Sequence, residues 1–230
     1  MKNNCYIFGA GDFYNDGITI NKGDLVIAAD GGYDHLKNTD IIPHVVMGDF
    51  DSVSPEFDEK KSGFSIMGIK IGLKKENNYK IIKYSPEKDE TDMMLAVKYG
   101  LERKYKNFYI YGATGGRLSH TMANMQLLCY LCEQNVKGYI IDENTVITAV
   151  KNGEINFNDS YRGVISIFSH SDISKNVNIE GLKYEVKNKD LTNDVSVGIS
   201  NEFVGKSATI SVTSGTLIIM IENKKDSSLE

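Results

Sequence analysis

The chain has no tryptophan, only three prolines and no apolar run long enough to cross a bilayer. A membrane-spanning helix needs about 20 consecutive apolar residues, so the sequence predicts no membrane partner. The net charge is −5 and no basic stripe offsets it, which argues against a nucleic-acid partner. The N-terminal residues are not typical of a signal peptide, and we expect a cytoplasmic protein.

Cysteine is also scarce, with single residues at positions 5, 129 and 132. Cys129 and Cys132 have the spacing of a redox or metal motif, but they lie in an apolar helical stretch without a second pair of ligands. We therefore interpret all three as buried thiols, in agreement with a reducing cytoplasm.

Short apolar runs that end in glycine or aspartate are the most informative feature that is present. Three of them end at Asp30, Asp49 and Gly112, and a fourth ends in the Gly-Ala-Gly-Asp of residues 9–12. Such runs are typical of buried strands in an open α/β sheet, whose ligands bind beyond the carboxyl ends of the strands. Carboxylates favour a divalent metal there and glycine loops favour phosphate, so we expect a site for a magnesium–nucleotide complex.

Two regions with different patterns predict two domains. Strand-like and helical segments alternate up to residue 142, which predicts an open, mostly parallel α/β/α sheet domain over residues 1–142, with an inserted hairpin or loop at 63–79. Residues 143–224 contain only short β-branched runs separated by turn residues, which predicts an all-β sandwich domain. Within it, residues 213–216 are predicted to form a hairpin turn between the last two strands.

Acidic residues follow several of these elements. Asp49 and Asp51 alternate along an extended segment, so both can face one cation, although a solvated turn also explains them. Residues 89–92 begin a helix, where acids and threonine commonly cap the first turn. Beside Asp49 and Asp51 they are also candidates to complete an acidic ring around a metal. Asp30 marks either an ordinary turn or a further acid of the same site.

A glycine-rich loop at residues 112–117 opens a helix. It is not a P-loop, because no Gly-Lys-Ser/Thr follows. It does not fit a dinucleotide-binding fingerprint either, because Leu118 falls near the position of the third glycine, where close helix packing is then blocked. The pattern instead predicts an anion site at a helix N-terminus, with Arg117 adding positive charge. His120 and Asn124 are four residues apart and share one helical face, so we favour a phosphate contact for His120 over an ordinary surface position.

In this order the motifs resemble those of bacterial-type thiamine pyrophosphokinases over nearly the whole chain. The matching segments are residues 29–32, 48–52, 88–92, 112–124, 181–184 and 199–203. One departure is Ser119, where the family usually has aspartate, and the stretch between residues 52 and 89 is longer than usual.

The resemblance implies an N-terminal α/β domain, a C-terminal β-sandwich and a homodimer with sites at the subunit interface. It implies Mg²⁺-dependent transfer of the pyrophosphoryl group from ATP to the thiamine hydroxyl, with release of AMP. By position in the motifs, the metal ligands would be Asp49, Asp51 and Asp92, and these three with Arg117 would be catalytic. ATP would be bound by Asp30, Gly31, Arg117, His120 and Asn124, and thiamine by Asp89, Ser200 and Asn201.

Two alternative functions are compatible with parts of the pattern. A phosphohydrolase of the haloacid dehalogenase type would use Asp49 as nucleophile and Asp51 as acid, but the downstream lysine and acidic pair of that class are not found. A non-catalytic module that senses thiamine or a nucleotide is favoured only by Ser119. An assay with ATP, thiamine and Mg²⁺ distinguishes the three functions.

Overall fold

The computed structural model describes residues 4–15, 17–49, 65–66, 69–74 and 79–222. The chain divides into two compact units, Met1–Asn124 and Met125–Glu230. Asp51 lies outside the described residues. None of the helices in the described ranges is long and apolar enough to span a bilayer.

The first unit is built on a mostly parallel sheet. Its elements are β1 (Asn4–Phe8), β2 (Leu25–Ala29), α1 (Gly32–Leu36), β3 (Val45–Gly48), β4 (Ser65–Ile66), β5 (Ile69–Lys74), β6 (Tyr79–Lys83), α2 (Asp92–Glu102) and β7 (Asn107–Tyr111). Helix α3 (Leu118–Glu133) begins in this unit and ends in the second. The strand order is β7-β1-β2-β3-β6-β5-β4, and the first five strands are parallel.

The central strands are apolar along their whole length because both of their faces are covered. Every residue of β2 and β3 is buried, as expected for the middle of a parallel sheet. Strands β4 and β5 form an antiparallel pair, and β5 continues the sheet antiparallel to β6. The predicted α/β sheet domain and its inserted hairpin are therefore both confirmed.

The second unit is a two-sheet sandwich. Its strands are β8 (Lys137–Ile141), β9 (Thr145–Lys151), β10 (Glu154–Phe157), β11 (Val164–Ser169), β12 (Ile173–Glu180), β13 (Val186–Thr192), β14 (Gly198–Glu202), β15 (Ala208–Ser211) and β16 (Thr216–Glu222). One sheet has the order β8-β9-β16-β11-β14 and the other β10-β15-β12-β13. Both sheets contribute to one apolar core, in which Ile165, Val177, Ile210 and Ile219 are almost fully buried. The predicted β-sandwich is confirmed.

The predicted hairpin at residues 213–216 is wrong. The strands on either side of it, β15 and β16, belong to different sheets and do not pair with each other. Turn residues between two β-branched runs suggested a hairpin, but Ile210 and Ile219 face the same core from opposite sheets. Residues 213–216 therefore carry the chain from one sheet to the other.

The three cysteines are free thiols, as predicted. Cys5 and Cys129 are buried, as predicted, but Cys132 is only half-buried, so the prediction of full burial is wrong for that residue. Burial raises the pKa of Cys129 to about 12 and that of Cys132 to about 11. Thiols with such pKa values are poor nucleophiles at neutral pH, so a structural role fits them better than a redox role.

Candidate active site

The segments that leave the carboxyl ends of four parallel strands line one cleft in the first unit. Its volume is about 510 Å³. The lining comprises Gly9–Gly11 after β1, Ala29 at the end of β2 and Asp30 after it, Asp49 after β3, Thr91–Met93 at the start of α2, Gly112–Arg117 after β7, and His120, Ala123 and Asn124 of α3. This is the edge at which ligands of open α/β sheets bind.

Two glycine-containing loops interlock on one side of the cleft. The amide of Gly11 donates to the carbonyl of Gly112 at 2.8 Å, and the amide of Asp12 donates to the carbonyl of Thr114 at 2.9 Å. A Cβ on Gly11 would lie 2.0 Å from the Thr114 oxygen, and one on Gly112, whose φ is +61°, would lie 2.3 Å from the Gly9 oxygen. Because backbone meets backbone at both points, only glycine fits. Sequence reasoning noted the first loop but did not place it in the site.

Three aspartates reach the same cleft from separate elements. Asp30 has a φ of +49°, and its amide donates to the Met47 carbonyl at 2.7 Å, which fixes the end of β2 against β3. Gly48 allows this approach, since a Cβ there would lie 3.1 Å from the Asp30 Cα. Asp49 follows β3 directly, and Asp92 is the first residue of α2. Two elements distant in sequence thus bring Asp49 and Asp92 together.

The start of α2 shows which residue of the 89–92 segment caps the helix. Thr91 is the cap, since its Oγ1 accepts a hydrogen bond from the Met94 amide at 3.2 Å. The Asp92 carboxylate is therefore not needed as the cap and lies in the cleft. Asp89 is exposed on the preceding turn and does not line the cleft.

Lys88 links the acidic residues of the two elements. Its Nζ lies 2.6 Å from Oδ1 of Asp92 and 3.7 Å from Oδ2 of Asp49. The same ammonium is 5.8 Å from the centre of the Tyr84 ring. Burial, and to a lesser degree the charges of Glu102 and Asp92, raise the pKa of Tyr84, so its ring is neutral at physiological pH.

This donor set fits Mg²⁺ when a nucleotide supplies the remaining ligands. Among the described residues, no three acidic, histidine or cysteine side chains are close enough together to hold a metal by themselves. Mg²⁺ is commonly bound by one or two carboxylates together with waters and phosphate oxygens. Asp49 and Asp92 are such a pair, and the Lys88 ammonium shows that their oxygens converge on a cation.

The N-terminal turn of α3 supplies the groups suited to phosphate. Arg117 and His120 are exposed, line the cleft, and are in contact through the guanidinium and Nε2 of the ring. Asn124 differs from them because it is 7% exposed and its Nδ2 donates to the Ala113 carbonyl at 2.8 Å. Asn124 therefore ties the glycine loop to α3. Gly31 precedes α1 and is not among the residues that line the cleft.

The remaining predicted residues, Ser200 and Asn201, lie in the second unit. Asn201 is buried, and its side-chain amide accepts from the Tyr184 amide at 3.0 Å and donates to the Tyr184 carbonyl at 2.8 Å. Ser200 is exposed with a φ of +55°. Tyr184 is thereby held in place with 59% of its surface exposed. Sequence reasoning noted the motif around this tyrosine but assigned it no role.

The chain matches known proteins over both units. Residues 18–140 match the family described as "Thiamin pyrophosphokinase, catalytic domain", and residues 152–217 match "Thiamin pyrophosphokinase, vitamin B1 binding domain". A thiamine pyrophosphokinase of Bacillus subtilis (strain 168) is 30% identical over 197 residues, which are 85% of this chain and 86% of that protein. Thiamin pyrophosphokinase 1 of Caenorhabditis elegans is 28% identical over 217 residues, 88% of this chain and 80% of that protein. The crystal structure of a Bacillus subtilis thiamine pyrophosphokinase superposes with a TM-score of 0.80 at 29% identity, covering 96% of this chain and 99% of that one.

Proposed function

The chain belongs to the thiamine pyrophosphokinase family, and we propose that it uses ATP and Mg²⁺ to pyrophosphorylate the hydroxyl group of thiamine, releasing AMP. It is an enzyme that makes thiamine diphosphate.

The observation that supports the proposal best is the cleft of the first unit, which joins a glycine-loop anion site to a pair of carboxylates. Loop amides and the N-terminus of α3 favour an anionic phosphate chain. Arg117 and His120 add hydrogen-bond donors at the same helix end. Asp49 and Asp92 would hold Mg²⁺, and Asp30 would contact the nucleotide. When bound, Mg²⁺ would neutralise part of the phosphate charge and orient the chain of phosphates.

The reaction needs no covalent nucleophile from the protein. The thiamine hydroxyl oxygen forms a bond to the β-phosphorus of ATP, and the bond from that phosphorus to the oxygen bridging to the α-phosphate breaks. AMP leaves with the bridging oxygen, and the hydroxyl proton passes to solvent. Transfers of this kind depend on positioning and charge neutralisation, which the glycine loop and Arg117 are placed to supply.

We assign residues 1–142, which include all of α3 and β8, to a catalytic domain, and residues 143–224, which contain β9–β16, to a thiamine-binding β-sandwich domain. In the second, the exposed Tyr184 ring offers an aromatic face to the thiazolium cation of thiamine. Asn201 acts by positioning this ring, because both ends of its amide are bonded to the Tyr184 backbone. Asp89 and Ser200 are both exposed, and we propose them as direct thiamine contacts.

We further propose a cytoplasmic homodimer in which the catalytic domain of one subunit and the β-sandwich of the other enclose each thiamine. Carboxylates at strand ends cannot by themselves enclose a two-ring cation, and ligand sites are commonly completed at interfaces. Asp92→Asn subunits are mixed with subunits that carry Ser200→Ala and Asn201→Ala together, each inactive alone, and activity should return because one of the two sites regains both halves. Failure of the mixed dimer to regain activity would place the whole site in one chain.

The activity test incubates the purified protein with ATP, thiamine and Mg²⁺ and separates the products by chromatography. AMP and thiamine diphosphate should form in equal amounts. Asp49→Asn should lower turnover at least about a hundredfold without unfolding the protein, because it removes a metal ligand. Asp34→Asn is the matched control, since Asp34 pairs with Lys37 on the surface of α1. Formation of ADP, or release of phosphate without thiamine, would contradict the proposal.

A further inference from the structure

The position of Lys88 affects how Asp49 and Asp92 can bind a metal ion. Its ammonium carries a single charge but lies within 3.7 Å of both Asp49 and Asp92. The side chains of Lys88, Asp49 and Asp92 are only 16%, 16% and 18% exposed. Water therefore screens the three charges only in part, and the ammonium offsets one of the two negative charges.

An ammonium between two carboxylates occupies the place that a small cation would take. Asp49 and Asp92 converge on Lys88 Nζ, so a metal bound by the same oxygens has to move this group away. The side chain can make that movement, because a lysine ammonium is a point charge on a flexible four-carbon stem. The turn that carries Lys88 precedes α2 and is held by a bond from its amide to the Pro86 carbonyl, which does not restrain the side chain.

We propose that Lys88 is a built-in counter-cation of the metal site, which offsets one of the two negative charges of Asp49 and Asp92 until Mg²⁺ arrives together with a nucleotide. This inference rests on the proposed Mg²⁺-dependent function. Once displaced, the ammonium pairs with phosphate oxygens of the nucleotide, which lie in the same cleft. Mg²⁺ without nucleotide has to displace the ammonium with no new partner for it. The site therefore binds the metal weakly alone and strongly with ATP.

The test is calorimetric titration of the intact protein with Mg²⁺ alone at about 0.15 M ionic strength, where exposed charges are screened. Lys88→Met keeps the length of the side chain and removes its charge, so Mg²⁺ should bind at least about tenfold more tightly than in wild type. Lys88→Arg keeps the charge and should bind Mg²⁺ as weakly as wild type. Lys98→Met is the matched control, because Lys98 pairs with Glu90 and neither residue lines the cleft.

A second titration repeats the Mg²⁺ measurement with saturating ATP and no thiamine. ATP should strengthen Mg²⁺ binding less in Lys88→Met than in wild type, because the variant has no ammonium that can pair with the phosphate oxygens. Thermal unfolding gives an independent readout: EDTA should lower the melting temperature of Lys88→Met more than that of Lys98→Met, and Mg²⁺ should raise it more. Lys88→Gln should reproduce these results if the methionine variant is too unstable to titrate.

Equal or weaker binding of Mg²⁺ alone by both neutral variants would overturn the role of Lys88. That result would leave the proposed function standing, provided that wild type still binds Mg²⁺ with ATP and forms AMP. Absence of Mg²⁺ binding to wild type even with ATP would instead overturn the metal-dependent function, and this inference with it.

Discussion

The interlocked glycine loops make a sharp prediction for Gly11→Ala. The added Cβ would lie 2.0 Å from the Thr114 oxygen and 2.8 Å from the Gly112 oxygen, whereas ordinary contacts begin at 3.4 Å. Both neighbours are backbone atoms, so no side chain can rotate away. The two loops must therefore separate by about 1.4 Å, the difference between 3.4 and 2.0 Å.

Separation of this size breaks the hydrogen bonds from Gly11 to Gly112 and from Asp12 to Thr114. Each is worth about 0.5–1.5 kcal/mol net, so the free energy of unfolding should fall by about 1–3 kcal/mol. The loop that ends in Arg117 moves at the same time. Misplacement of catalytic groups by about 1 Å can cost on the order of a hundredfold in rate, and we expect a loss of that order in kcat/KM for ATP.

Gly17→Ala is the matched control for this experiment. Gly17 has a φ of +74°, no atom of the described residues lies within 4 Å of a Cβ placed there, and it does not line the cleft. Alanine there should cost about 1 kcal/mol of backbone strain and leave kcat/KM unchanged. Urea unfolding and steady-state kinetics on both variants separate stability from activity. Wild-type activity in Gly11→Ala would refute the argument that the two loops position the phosphate site.

Three further predictions concern Asn124, Tyr184 and Cys129. Asn124→Ala removes the donor to the buried Ala113 carbonyl, so the free energy of unfolding should fall by about 1–3 kcal/mol and KM for ATP should rise. An unchanged KM would mean that the glycine loop does not need this hydrogen bond to bind ATP. Tyr184→Ala should raise KM for thiamine about tenfold while Tyr184→Phe should not, and equal effects of both would show that the hydroxyl rather than the ring matters. Burial raises the pKa of Cys129 to about 12, so at pH 8 iodoacetamide should alkylate it far more slowly than it alkylates the amino acid cysteine in solution, and the rate should rise with pH. Mass spectrometry follows the reaction. Alkylation as fast as that of cysteine in solution would show that the thiol is accessible.

The sequence by itself determined the features that depend on local pattern. Apolar runs ending at Asp30, Asp49 and Gly112 predicted parallel strands whose ends converge, because a strand covered on both faces is apolar along nearly its whole length and polar residues follow where it leaves the sheet. After residue 142, short β-branched runs separated by turn residues predicted the β-sandwich. The motif resemblance then agreed with the family that the comparisons identify.

Contacts between residues distant in sequence were decided only by the tertiary structure. Nothing local distinguishes Lys88 from a surface lysine until the fold places Asp49 beside it. Residues 213–216 were predicted as a hairpin turn, because turn residues between two strands do not reveal whether those strands share a sheet or face each other across a core. The hydrogen-bond partners of Asn124 and Asn201 could not be predicted from the sequence either. A buried polar side chain needs a hydrogen bond, but only the packing decides whether its partner is a ligand or, as here, the protein backbone.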